Sequence, residues 1–268
     1  KYLMIGGSNL KRKRSKQCAL CENFFKNSEM SEEHYPAKST GNEDIVALDF
    51  GKMIDSMRSG ELAERLFHKE NQGKTVEEVS GEFFDEELSH SLYPKGRTAR
   101  SLCRQCNTFL GKYDEAYKKF FDNDGSPSII KGYQKLTRLK IIKAIFAKFL
   151  SVPECKGQNF DFITFLQDEN QETYEGQWEL YCIKRDYNTD FFGLGHLGTG
   201  VMTYDEGVIF VLSDEKFIFH LMDFEPHEGY KSLNMMDLLN KTYTLVSGRD
   251  LHDGGYHGHF MIQEMLGA

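Results

Sequence analysis

The stretch CALCENFFKNSEMSEEHYPAKS, residues 18–39, contains a Cys-x-x-Cys pair and, further on, Glu33-His34 followed by Tyr35-Pro36. One thiol pair is half of a tetrahedral zinc site, which takes four ligands. The other half stands in LCRQCN, residues 102–107, where Cys103 and Cys106 are followed at once by Asn107. Each pair forms a tight knuckle presenting two thiolates to a shared ion, so Cys18, Cys21, Cys103 and Cys106 read as one structural zinc site. The alternative is two unrelated reduced thiol pairs. The pairs lie about 80 residues apart, well beyond the 15–20 of a simple zinc finger, so something is built between them.

The 268-residue chain is long enough for one large domain or two modest ones, and its 40% apolar content is that of a globular protein. No apolar run reaches the roughly 18 residues needed to span a bilayer, so no membrane partner is expected. The first residues carry no hydrophobic export signal. Six cysteines, four of them in the two pairs, suit a reducing compartment. A cytoplasmic location is expected.

The net charge of −8 argues against a nucleic-acid partner until its distribution is read. Residues 1–21 hold six basic side chains and no acid, mostly in KRKRSK at 11–16; residues 100–150 carry a local net of +7. Residues 43–92 have a net of −8, and residues 151–268 of −13. Basic charge therefore gathers around both thiol pairs, and a phosphate backbone is held by such local patches rather than by average charge.

The texture suggests boundaries. Residues 45–70 read as one or two helices, with Ile54, Met57, Leu62 and Leu66 at helical intervals and Gly51 and Gly60 against them. The acidic, turn-rich span at about 43–98 reads as an insertion. KLTRLKIIKAIFAKFL, 135–150, reads as an amphipathic helix with Leu139, Ile142, Ile145, Phe146 and Phe149 as its stripe and Lys140, Lys143 and Lys148 on its flanks. Beyond Pro153, VIFVL and FIFHL read as strands that need a covering partner, either the 135–150 helix or a second subunit. Two domains are expected: 1–152 with the acidic insertion, and 153–268, a small α+β accessory, regulatory or oligomerisation domain.

The ordered combination CALC, SEEHYPAKSTG and LCRQCNTFLGKYDEA resembles the HNH endonuclease family, in its branch with a four-cysteine zinc site. The resemblance covers residues 15–121. It implies an α+β fold with a zinc-stabilised ββα-metal (HNH, or His-Me finger) module, in which strands carry Glu33-His34 and a helix starts near Cys106. It also implies metal-dependent hydrolysis of DNA phosphodiester bonds. His34 would be the general base, because neutral imidazole has an unperturbed pKa near 7. Glu33 and Asn107 would hold a catalytic Mg²⁺ or Mn²⁺, with Glu32 able to replace Glu33. The family often has a further helix histidine, and none follows Asn107 here. Asp114, two turns on, could ligate the metal, orient His34, or be an exposed helix acid.

Lys11, Arg12, Lys13, Arg14, Arg100, Arg104 and Lys112 are the expected phosphate contacts. Double-stranded DNA is the expected partner, and anti-phage defence or a mobile element the expected setting. A homodimer or higher oligomer assembled through residues 135–268 is expected, with an activating protein or ligand at the C-terminal part. The competing function is a catalytically inactive, zinc-stabilised module binding nucleic acid or protein. Cys155 and Cys182 read as packing thiols. HDGGYHGH, 252–259, reads as a surface loop, and GLGHLGTG, 193–200, as a hairpin or bent strand lacking the Gly-Lys-Ser/Thr ending of a phosphate loop.

Overall fold

The computed structural model describes residues 15–185, 198–226, 230–240 and 242–247. The chain opens with short strands β1 (Ser15–Gln17), β2 (Phe24–Lys26) and β3 (Glu33–His34). Then come β4 (Ile45–Leu48), α1 (Phe50–Ser59), α2 (Glu61–Phe67), α3 (Val76–Phe83) and β5 (Ser89–Tyr93). After β6 (Thr98–Ala99) follow α4 (Arg104–Asp122), α5 (Pro127–Ile130), α6 (Lys135–Phe149) and α7 (Ile163–Gln167). Strands β7 (Glu179–Lys184), β8 (Thr199–Thr203), β9 (Val208–Ser213), β10 (Phe217–Met222) and β11 (Leu233–Asn234) complete a mixed α+β fold.

Residues Asn42–Arg97 form one compact unit; the described residues before Asn42 and after Arg97 form the other. In the first, β4 pairs antiparallel with β5. Residues 45–70 thus begin as a strand and continue as two helices. Asp49 caps α1 by accepting the Lys52 N–H at 3.1 Å, and Gly60 ends it at φ +76°, a conformation that favours glycine. Thr75 and Glu78 cap α3 reciprocally, and its Val79 and Phe83 are buried. The ends of the unit meet: the Asn42 side chain accepts the Arg97 N–H at 2.6 Å and donates to the Arg97 carbonyl at 2.9 Å.

The second unit is a five-stranded antiparallel sheet, ordered β11-β7-β10-β9-β8, against which α4 and α6 lie. Phe120 of α4 meets Phe217 of β10 at 4.9 Å between ring centroids, and Tyr117 meets Phe219 at 5.9 Å. Phe146 of α6 packs on Phe162 at 4.9 Å. The cover that β9 and β10 require comes on this face from the chain's own helices.

One apolar core runs from Cys18 through both helices to Leu238. The change of texture at residue 152 therefore marks a switch from helix to sheet inside one core, not a break in packing. Helix α6 differs from its expected single stripe: Leu139 and every residue from Ile141 to Phe149 are buried. A helix buried on most sides, two lysines included, lies at the centre of its unit. Among the described residues no helix is long and apolar enough to cross a membrane.

Candidate metal centre and the adjoining strands

The first knuckle is the turn between β1 and β2, where the Cys18 N–H donates to the Asn23 carbonyl and the Glu22 N–H to that of Cys18, each at 2.9 Å. The second leads into α4, with Cys103 as its N-cap. Backbone bonds stitch the two together. The Ala19 N–H donates to Ser101 and the Ser31 N–H to Leu102, both at 2.8 Å, and Met30 bridges Cys103. The Sγ atoms of Cys18, Cys21, Cys103 and Cys106 all lie within 4.8 Å of one another. Sulfurs on one tetrahedral zinc are about 3.8 Å apart at the usual Zn–S length. Cys18, Cys103 and Cys106 are buried.

The backbone is arranged for thiolate. The Cys103 N–H donates to Cys18 Sγ at 3.3 Å, and the Cys106 N–H to Cys103 Sγ at 3.5 Å. Burial raises the Cys18 pKa, but N–H groups of Cys21, Cys103 and Leu20 outweigh it and leave the thiol below its ordinary value. Cys106 is pushed up by burial and by the sulfurs around it. Mutual repulsion of this kind is what a shared cation relieves. The donor set fits a structural zinc ion. Cys155 and Cys182 are buried elsewhere and raised chiefly by burial, as packing thiols are.

Next to the knuckles, β3 pairs antiparallel with β6, placing Glu33 opposite Ala99 and His34 opposite Thr98. The strands are separated in sequence by the whole Asn42–Arg97 unit and adjacent in space. His34 is half-buried in β3, ahead of a cis Tyr35–Pro36 peptide. Asn107, in the first turn of α4, donates from Nδ2 to Ser31 Oγ at 2.9 Å. Glu32 accepts from the Thr98 hydroxyl at 3.2 Å.

Glu33 and Asp114 both turn to a residue that sequence patterning assigned to the flank of an amphipathic helix. The Lys148 ammonium, carried in by α6, is hydrogen-bonded to the Glu33 carboxylate and lies 2.8 Å from Asp114 Oδ2. Lys148 and Glu33 are both buried. Burial works to neutralise Lys148, but the two carboxylates hold its pKa above the ordinary value. A carboxylate already paired with a buried ammonium is not an open ligand for a hard cation. Among the described residues, the four cysteines are the only group of three or more His, Cys, Asp or Glu side chains close enough to share an ion. With Glu33 engaged by Lys148, the arrangement gives no support for the expected Mg²⁺ or Mn²⁺ set.

The expected phosphate contacts fall into three groups. Lys112 is ion-paired with Glu169 and sits 4.1 Å over the Phe109 ring. Arg104 donates to the Ser28 carbonyl at 3.0 Å, and Arg100 is exposed between two cavities. Lys11, Arg12, Lys13 and Arg14 lie outside the described residues, as does HDGGYHGH and most of GLGHLGTG; the last residues of the latter open β8. Lys148 had a signal in the sequence: a lysine inside AIFAKFL, where no polar face is left for it. No known family model, curated protein or solved structure matches the chain.

Proposed function

We propose that this protein is an endonuclease of the HNH kind that hydrolyses DNA phosphodiester bonds. The observation that carries the reading is topological: Glu33-His34 sits in a strand paired with a second strand, and the helix that follows starts at a thiolate knuckle with Asn107 in its first turn. This is the ββα order the resemblance implies, kept across an interruption of more than fifty residues.

In this reading water attacks phosphorus and its proton passes to the His34 imidazole, while the P–O3′ bond breaks with its electron pair on the 3′ oxygen. Asn107 and Ser31 orient the site, and Arg100 and Arg104 meet the phosphates. No step is assigned to a divalent cation, because Lys148 already neutralises Glu33. Assembly as a homo-oligomer through residues 135–268 remains part of the proposal, as does a role in defence against phage, the latter on the resemblance alone.

The test is cleavage of plasmid DNA and of a labelled RNA by the full chain, with Mg²⁺, with Mn²⁺ and with neither. His34→Ala should abolish cutting while zinc content and far-UV circular dichroism stay unchanged. Cutting at the parental rate by His34→Ala would overturn the reading. The second reading, a non-catalytic zinc-pinned module, is favoured by the Lys148 cluster itself, since an internal ammonium replaces the open cation site. Duplex binding without cleavage under every condition would select it.

A further inference from the structure

Three basic side chains surround one cavity beside the first knuckle. The cavity, about 790 Å³, opens between β1, the residues after β6 and the segment that follows α6. Lys16, Arg100 and Lys156 stand on its rim, all exposed. None has an acidic partner among the described residues, whereas Lys112, Lys118, Lys135, Lys140, Lys148 and Lys216 each have one. One acid, Glu22, shares the lining, which leaves the rim cationic in a chain of net charge −8. Cations gathered around a concave surface raise the local potential and draw anions.

The rest of the lining is of a different kind. Val152 and Phe160 give it a buried apolar floor, and the exposed amides of Gln158 and Asn159 stand beside it. A cationic rim, an amide edge and an apolar floor match the three parts of a nucleotide: phosphate, base edge and base face. The volume lies within the range of small-ligand sites and is too small for a duplex. Arg100, which follows β6, also lines a second cavity, about 270 Å³, with Arg104 and with Ser31 and Glu32, the residues just before β3. A chain of phosphates crossing Arg100 would therefore join the two.

We propose that this cavity binds a single nucleic-acid strand, with nucleotides seated on the apolar floor and phosphates on Lys16, Arg100 and Lys156. The proposal rests on the nucleic-acid part of the function above but not on the chemistry of His34.

The test is fluorescence anisotropy of a labelled ten-nucleotide single strand on the full chain carrying His34→Ala, without added divalent cation. Lys16→Glu and Lys156→Glu, both at exposed positions, should each weaken binding at least tenfold. Each should also reduce the log–log salt slope by about 0.7. Lys135→Glu, a paired lysine away from the cavity, should leave binding unchanged. Parental affinity in both rim variants overturns the proposal. So does competition by a mononucleotide or by inorganic phosphate as effective as that of the strand, which would make the ligand a free phosphate compound. Rim-dependent binding in a protein that never cuts DNA keeps this proposal and removes the nuclease; His34-dependent cutting with rim-independent binding does the reverse.

Discussion

Nζ of Lys148, in α6, lies 2.8 Å from Oδ2 of Asp114, in α4, and the same ammonium holds Glu33 in β3. One buried cation thus ties three elements that sequence alone would treat separately. It pairs with two carboxylates that the resemblance offers to a divalent metal, and it gives Glu33 and Asp114 a structural task.

Removing that cation should be costly. Lys148→Met leaves Glu33 buried and Asp114 partly buried with no counter-ion, and breaking such a pair costs about 3–5 kcal/mol. Urea unfolding would measure it. Adding Glu33→Gln and Asp114→Asn to Lys148→Met should recover part of the loss, because the unpaired charges are then gone. If Lys148→Met unfolds at the parental midpoint, the cluster carries no stability.

The metal centre makes its own prediction. One zinc per chain should be found by elemental analysis of protein purified without chelator. Cys103→Ser should lose the ion and a large part of thermal stability, since the site joins segments 85 residues apart and metal binding is folding energy there. Zinc-free protein with full stability would refute the site.

Two buried groups set a pH dependence of opposite signs. Burial raises Asp214 to about 6, although Tyr117 and the N–H groups of Lys216 and Phe217 work against it. Its folded pKa exceeds the unfolded value of 3.8, so folding takes up a proton between about 4 and 6. Its contribution to stability is thus full below that window and falls as pH rises through it. Burial depresses His220 to about 3, so the unfolded state holds the extra proton up to 6.5 and its contribution rises with pH. Asp214→Asn should make stability climb more steeply between pH 4 and 6 than in the parent. His220→Leu should make it climb less. Denaturant midpoints taken at half-unit pH steps would show both.

The Asn42–Arg97 unit should be removable. Its two ends are bonded to each other through Asn42, and β3 pairs with β6 without help from any residue inside it. Replacing residues 43–96 by a short glycine-serine turn should leave zinc binding and the amide protection of α4 and α6 intact. Loss of zinc in the shortened chain would mean that the unit is needed to fold the knuckles.

What depends on residue type and short-range spacing could be read from the chain before it folded. Cys-x-x-Cys turns are local, so the four cysteines that cluster were legible, as were the acidic span between them and the strands VIFVL and FIFHL. Asn107 beside the second knuckle was legible for the same reason. Tertiary structure alone decided which face each long side chain would meet. Helix α6 carries a readable stripe, yet it lies between α7, the sheet and α4, so two of its off-stripe lysines, Lys143 and Lys148, are buried too. Lys148 then reaches Glu33 across 115 positions, and Lys112 is drawn to Glu169 across 57. Lys16, Arg100 and Lys156 come from three distant stretches and share one cavity. Such pairings follow from desolvation and charge in the folded chain, and no local pattern records them, because the partners are chosen only when packing has removed the water between them.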